Sequence, residues 1–146
     1  MPSHPSSKLN VVNPLVTTLG PFPQILIDTG STGHYFTVDA PIQHITIATD
    51  PLKVKVANQQ YIHSTHKAEL PIDGLPKAAR MVHIFPELGH SLLAIAPLCD
   101  HGCQVKLTKQ NCTITLPNGS QLNCPRNTNG LWVMPTAAMN INQQPA

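Results

Sequence analysis

The sequence predicts an all-β fold with one short helix. Proline makes up 15 of the 146 residues, about twice the usual share of about 5%, and proline interrupts helices. Charged residues make up 11%, far below the average of about 25%, which argues against long charged helices and coiled coils. Several short segments alternate between apolar and polar residues and are separated by turn-forming residues, as is typical of β-strands.

The length suits one compact domain, and changes in composition indicate its boundaries. Residues 1–21 are rich in Ser, Pro and Asn without periodicity, which predicts a flexible leader. Residues 22–135 form the predicted folded domain, and residues 136–146 a flexible tail. The chain has neither the continuous apolar stretch of a signal peptide nor an apolar run long enough to span a membrane, so we expect a cytoplasmic protein.

The first half of the domain contains five predicted strands. The apolar residues 24–27 lead into a glycine-containing loop, which is typical of a buried strand, and residues 42–48 alternate. Residues 54–57 and 62–72 flank a polar turn and predict a hairpin, and residues 79–85 predict a further strand.

The second half begins with the predicted helix. Residues 92–96 are helix formers that follow Ser91, a suitable N-cap residue. Because Pro97 comes directly after them, the helix is short or begins at Pro97. The Asn118-Gly119 pair is a strong hairpin signal, and the remaining strands are predicted at residues 104–108, 112–116, 121–124 and 131–134.

Charge and cysteine usage argue against several classes of partner. The 9 Lys and Arg residues are scattered and the net charge is only +2, so we expect no nucleic-acid binding. His63 and His66 would point to opposite faces of a strand, which argues against a metal site there. The spacing of the cysteines fits no zinc ribbon or zinc knuckle, so we expect free thiols at Cys99, Cys103, Cys112 and Cys124.

One motif carries recognisable chemistry, the tripeptide Asp28-Thr29-Gly30 after an aliphatic run. A carboxylate at the end of a buried strand is held rigidly, and a glycine beside it permits close approach of substrate. This arrangement suits the catalytic loop of an aspartic peptidase. It is equally compatible with a plain Asx turn at a strand end.

Further motifs follow in a fixed order. The stretch from Asp28 through Ser31 to His34 is followed by Val56-Ala57-Asn58, then by residues 85–93 with Gly102, and finally by Gly130-Leu131-Trp132. Together these resemble the retropepsin-like aspartic proteases, specifically those of copia-type LTR retrotransposons. The chain departs from the family's frequent residues at Gln59, Glu87, Ser91 and Ala94.

The resemblance implies a retropepsin-like acid protease barrel that works as a homodimer. The chain has no second Asp-[Ser/Thr]-Gly, so each chain would contribute one Asp28 to a shared pair. Thr29 and Gly30 would complete the catalytic loop. The resemblance also implies a flap formed by Ala57, Asn58, Gln59, Gln60 and Tyr61, and structural support of the active loop by Ser31, His34, Leu88, Gly89 and His90.

The implied function is that of an aspartic endopeptidase that processes a Gag-Pol-type polyprotein. It would bind extended peptide segments without a cofactor, in the cytoplasm or inside virus-like particles. Two carboxylates would share a proton and activate water. The alternative is a catalytically inactive dimerisation or peptide-binding module with the same fold, and a third possibility is a generic β-barrel binding module.

Overall fold

The computed structural model describes residues 24–135, so the predicted leader at residues 1–21 and the predicted tail at residues 136–146 lie outside the described residues. The described part of the chain is mostly β-sheet with little helix, which confirms the all-β prediction. It contains one short α-helix, α1 (Ala96–Asp100), and one turn of 3-10 helix (Lys77–Ala79). The strands are β1 (Ile25–Asp28), β2 (His34–Phe36), β3 (Gln43–Ile47), β4 (Lys53–Lys55), β5 (Tyr61–His63), β6 (His66–Glu69), β7 (Met81–Ile84), β8 (Ser91–Ala94), β9 (Gln104–Leu107), β10 (Asn111–Thr115) and β11 (Gln121–Pro125).

The largest sheet has six strands in the order β1-β8-β2-β7-β6-β3. Strands β1 and β2 are consecutive in the chain, but β8 lies between them. Strand β8 runs parallel to β1, with Asp28 opposite Ala94. The loop at residues 29–33 therefore crosses the end of β8 where Asp28 lies.

The prediction of a helix at residues 92–96 with Ser91 as its N-cap is wrong, because Ser91–Ala94 form strand β8, which lies between β1 and β2 in the large sheet. All four of its residues are buried, and a short, continuous apolar run is typical of a strand covered on both faces. The hydroxyl of Ser91 accepts a hydrogen bond from the backbone N–H of Thr37 at 3.0 Å. Helix α1 has Pro97 in its first turn, close to the alternative start at that proline.

The predicted hairpin arm at residues 62–72 is divided into two strands. Strand β5 pairs with β4, whereas β6 pairs with β3 and β7 in the large sheet. The buried Ser64 lies between them, and its hydroxyl accepts the Leu52 N–H at 2.8 Å. This bond closes the base of the β4–β5 hairpin where the chain leaves it.

The second half forms a three-stranded antiparallel sheet, β11-β10-β9. The turn at Asn118-Gly119 joins β10 to β11 as predicted, and Gly119 adopts a φ of 92° that glycine accommodates readily. The predicted strand at residues 131–134 makes isolated bridges instead of a ladder. One of these joins Val133 to Leu26 of β1, so this segment follows the side of β1 away from β8.

The core has two apolar clusters that meet at β1. Ile25 and Ile27 belong to the larger cluster, whereas Leu26 belongs to the smaller one together with Ile62 of the β4–β5 hairpin. Because side chains alternate along a strand, Asp28 lies on the same face of β1 as Leu26. The hairpin therefore packs on the face of the sheet that carries Asp28.

Strand β3 lies at one end of the six-stranded sheet. Its pairing with β6 shifts register between Gln43 and Thr46, and His44 within the shift has a φ of 56°. Ile45 and Ile47 are more than half exposed. Within residues 24–135, no helix is long and apolar enough to cross a membrane.

Candidate active site

Asp28 differs in burial from every other Asp and Glu side chain of the chain. The sequence has 7 Asp and Glu residues, all within the described range. Asp28 is 7% exposed, whereas the other six are half-buried or exposed. A carboxylate is costly to bury unless its environment compensates it, so the position of Asp28 is an unusual feature of this chain.

The loop after β1 is fixed by its own short hydrogen bonds. The N–H of Gly30 donates to Oδ1 of Asp28 at 2.9 Å, which is the Asx turn that the sequence left open as an interpretation. The hydroxyl of Ser31 donates to the carbonyl of Gly33 at 2.7 Å. Thr29 is exposed at the outer side of the loop. The turn orients the Asp28 carboxylate, so a turn role and a chemical role are compatible.

His34, the first residue after the loop, connects two separate parts of the chain. It is 1% exposed; its Nδ1 accepts the N–H of Ala94 at 3.0 Å, and its Nε2 lies 2.9 Å from the carbonyl of Ala79. Because Nδ1 accepts a hydrogen bond, the proton of the neutral ring is on Nε2 and is donated to Ala79. Burial is the main reason that the pKa of His34 is lowered to about 4; the Ala79 bond opposes this effect, and nearby His83 adds a smaller lowering that is part of the same value.

His90 lies at the other end of β1 from Asp28. Its Nδ1 accepts the backbone N–H of Gln24 at 3.0 Å, and burial lowers its pKa while the bond to Gln24 opposes that effect. His90 therefore holds the beginning of β1. Leu88 packs in the smaller apolar cluster, whereas Gly89 is exposed.

The residues predicted to form a flap lie at the tip of the β4–β5 hairpin. The N–H of Val56 donates to the carbonyl of Gln60 at 2.8 Å, and Oδ1 of Asn58 accepts the N–H of Gln60 at 3.0 Å. Gln59 has a φ of 72°, in the left-handed region that favours glycine. Ala57 is half-buried, and Tyr61 is exposed, with the ammonium of Lys53 4.4 Å from its ring centre.

The structure brings some of the predicted residues together and separates others. Asp28 and His34 both lie at the end of β8, one opposite Ala94 in the ladder and the other bonded to its N–H. The flap residues share a cluster with β1 through the body of their hairpin. The contribution of Ala94 was missed, because every non-proline residue has a backbone N–H and the sequence gives no signal for which one a histidine binds.

Within residues 24–135, no group of three or more His, Cys, Asp or Glu side chains is placed to hold a metal ion. All four cysteines are free thiols. Cys112 and Cys124 lie directly opposite each other on β10 and β11, where both are buried. Cys99 is exposed on α1.

Comparison with protein-family models and with curated proteins gives no match for this chain. The functional conclusion therefore depends on the geometry of the Asp28 loop and on the resemblance of the sequence motifs.

Proposed function

We propose that this protein is an aspartic endopeptidase with a retropepsin-like fold, acting on a Gag-Pol-type polyprotein of a copia-type retrotransposon. The observation that carries the proposal is the single buried acidic side chain, Asp28, at the end of the buried strand β1. It is followed by an exposed hydroxyl residue and a glycine, in the order that the family motif requires. The remaining motifs of the resemblance occur in the same order along the chain.

The sheet around Asp28 provides the rigidity that such a site needs. Strand β1 is buried along its whole length and is flanked by β8 on one side and by the segment containing Val133 on the other. A carboxylate held on a packed strand keeps its geometry when substrate binds. This distinguishes Asp28 from the exposed aspartates Asp39, Asp50, Asp73 and Asp100.

The proposed mechanism requires a second carboxylate, which a second copy of the chain supplies. Two carboxylates about 3 Å apart cannot both ionise, so the pair shares one proton. The ionised member accepts a proton from water while the protonated member donates to the scissile carbonyl. A two-fold axis beside the exposed Thr29 would bring the two Asp28 side chains together.

The β4–β5 hairpin is the proposed flap. Its inner face, with Val54, Val56 and Ile62, packs in the cluster that contains Leu26, on the Asp28 face of the sheet. Closure of such a hairpin over an extended peptide would exclude water from the reacting bond. The peptide would bind mainly through backbone hydrogen bonds, as an added strand. The proposed setting is the cytoplasm or a virus-like particle.

The test is peptide cleavage by the full 146-residue chain at pH 4 to 7, with and without a statine-type inhibitor. We expect Asp28→Asn to abolish cleavage and the matched variant Asp39→Asn, at an exposed aspartate, to retain it. Equal cleavage by the wild type and by Asp28→Asn would contradict the peptidase mechanism. A folded dimer that binds peptides without cleaving them would favour the inactive dimerisation or peptide-binding module.

A further inference from the structure

We infer that His34 is a positioning residue for Asp28, acting through the backbone of Ala94. This inference depends on the proposed function, because positioning is judged by the reaction that Asp28 carries out. It assigns to His34 a particular atom and a particular route, beyond general support of the active loop.

The connection between His34 and Asp28 depends on the order of strands in the sheet. Asp28 and Ala94 are neighbours in the parallel ladder of β1 and β8, and the loop at residues 29–33 passes over this point before β2 begins at His34. A displacement of the end of β8 would therefore move both the strand beside Asp28 and the surface beneath its loop.

The side of β8 that faces β2 has little backbone pairing to hold it. The two strands share one bridge, between Tyr35 and Leu92. Beyond that bridge, side chains continue the pairing in both directions. Ser91 accepts the Thr37 N–H at one end, and Nδ1 of His34 accepts the Ala94 N–H at the other. The imidazole thus replaces a ladder carbonyl at the level of Asp28.

The second nitrogen of His34 fixes the ring in the orientation that this bond requires. Nε2 donates to the carbonyl of Ala79, the last residue of the 3-10 turn. The ring is buried, so water cannot replace either bond at little cost. His34 can hold the Ala94 N–H only as a neutral ring, because a protonated imidazole has no acceptor.

Two substitutions separate the two bonds of His34. The side-chain oxygen of asparagine lies close to the position of imidazole Nδ1, so His34→Asn keeps an acceptor for the Ala94 N–H and loses the donor to Ala79. The side-chain nitrogen of glutamine reaches the position of Nε2, so His34→Gln keeps the donor and loses the acceptor. Each variant loses one buried hydrogen bond, so similar losses of stability are expected. His101→Gln, at an exposed histidine, is the control for unchanged activity.

The kinetic test compares kcat and KM for cleavage of one peptide by the full-length variants. We expect His34→Gln to lower kcat by on the order of ten- to a hundred-fold with little change in KM, since small displacements of a reacting group have effects of that size. His34→Asn should restore most of that loss. Equal losses of kcat in the two variants, following their thermal stabilities, would overturn the inference.

A second measurement decides the inference even if the chain cleaves no peptide. NMR reports the chemical shift of the Asp28 carboxyl carbon and the hydrogen exchange rate of the Ala94 amide, neither of which needs turnover. We expect His34→Gln to change both and His34→Asn to leave both close to the wild type. Absence of Asp28-dependent cleavage would refute the proposed function, whereas unchanged NMR signals in His34→Gln would refute the positioning role.

Discussion

At the scale of single residues, two buried imidazoles hold the backbone near the two ends of β1. His34 accepts the N–H of Ala94 at the Asp28 end of β8, and His90 accepts the N–H of Gln24 at the start of β1. Each ring does so through Nδ1 and therefore has to be neutral. Burial lowers both pKa values, which keeps the rings neutral in the folded protein below the pH at which free histidine becomes charged.

We predict that the protein loses stability in mild acid. The pKa of His34 is about 4 in the folded chain against 6.5 for the ordinary group. As the pH falls below about 6.5, the unfolded chain takes up a proton that the folded chain does not, until the pH reaches about 4. Between pH 7 and 5 this linkage lowers the free energy of unfolding by about 2 kcal/mol, and His90 acts in the same direction.

Urea unfolding at pH 7 and pH 5 measures this effect. Between pH 7 and pH 5, the free energy of unfolding of the wild type should fall by about 2 kcal/mol more than that of His34→Asn. His101→Gln should behave like the wild type. Identical pH dependence in the wild type and His34→Asn would show that His34 does not cause the acid sensitivity.

At the scale of secondary-structure elements, the hairpin tip combines an unfavourable residue with a defined turn. Gln59 has a positive φ, which costs a residue with a side chain about 1 to 2 kcal/mol. The copia-type retropepsin-like proteases that the sequence resembles often have glycine at this position. The turn is instead held by bonds from Asn58 and Val56, so the glutamine is accommodated at some cost in stability.

We predict that Gln59→Gly does not destabilise the protein and stabilises it by up to about 1 kcal/mol, because the gain in the folded state exceeds the added freedom of the unfolded chain. Gln60→Gly is the matched control. The φ of Gln60 is not positive, so this variant should lower the free energy of unfolding by about 0.5 to 1 kcal/mol. Thermal unfolding of both variants checks this. Equal losses would contradict the account of strain at residue 59.

The elements also show what could be predicted from the sequence. The Asn118-Gly119 hairpin was predictable because a short turn that needs a glycine with positive φ is decided locally. The identity of β8 was not, because residues 92–96 are good helix formers and only the neighbours β1 and β2 decide that they pair as a strand. The hairpin arm at residues 62–72 was similarly ambiguous, since the place where it leaves β4 depends on the Ser64 hydroxyl.

The candidate site likewise has a part that the sequence could predict and a part that it could not. Asp28 and its turn were predictable from the tripeptide and the aliphatic run before it. The bond from Ala94 to His34 joins residues 60 positions apart, and it exists only because β8 inserts between two strands that are consecutive in the chain. No local pattern predicts such an insertion.

At the scale of the whole molecule, the main consequence of the proposal is that one chain supplies only one of the two catalytic carboxylates. Asp28 is the single buried carboxylate among the 7 acidic residues. The proposed Asp pair therefore exists only in the dimer, and activity should depend on the association of two chains.

We predict that Asp28→Asn chains inactivate wild-type chains by mixed association. With a nine-fold excess of the variant and free exchange of subunits, activity per wild-type chain should fall to about one tenth, because most wild-type chains then have an inactive partner. Cleavage assays on equilibrated mixtures measure this, and Asp39→Asn in the same excess is the control. Activity that is unaffected by the variant would contradict a shared site.

The edge strand β3 has a consequence for the behaviour of the protein at high concentration. An edge rich in Ile and Thr with few charges is a template on which a strand of another molecule can pair, which leads to uncontrolled polymerisation of sheets. The left-handed His44 and the register shift around it make this edge irregular, and such an irregularity interrupts the regular row of backbone groups on which a straight incoming strand would pair. The irregularity that weakens the pairing of β3 with β6 therefore helps to keep neighbouring molecules apart.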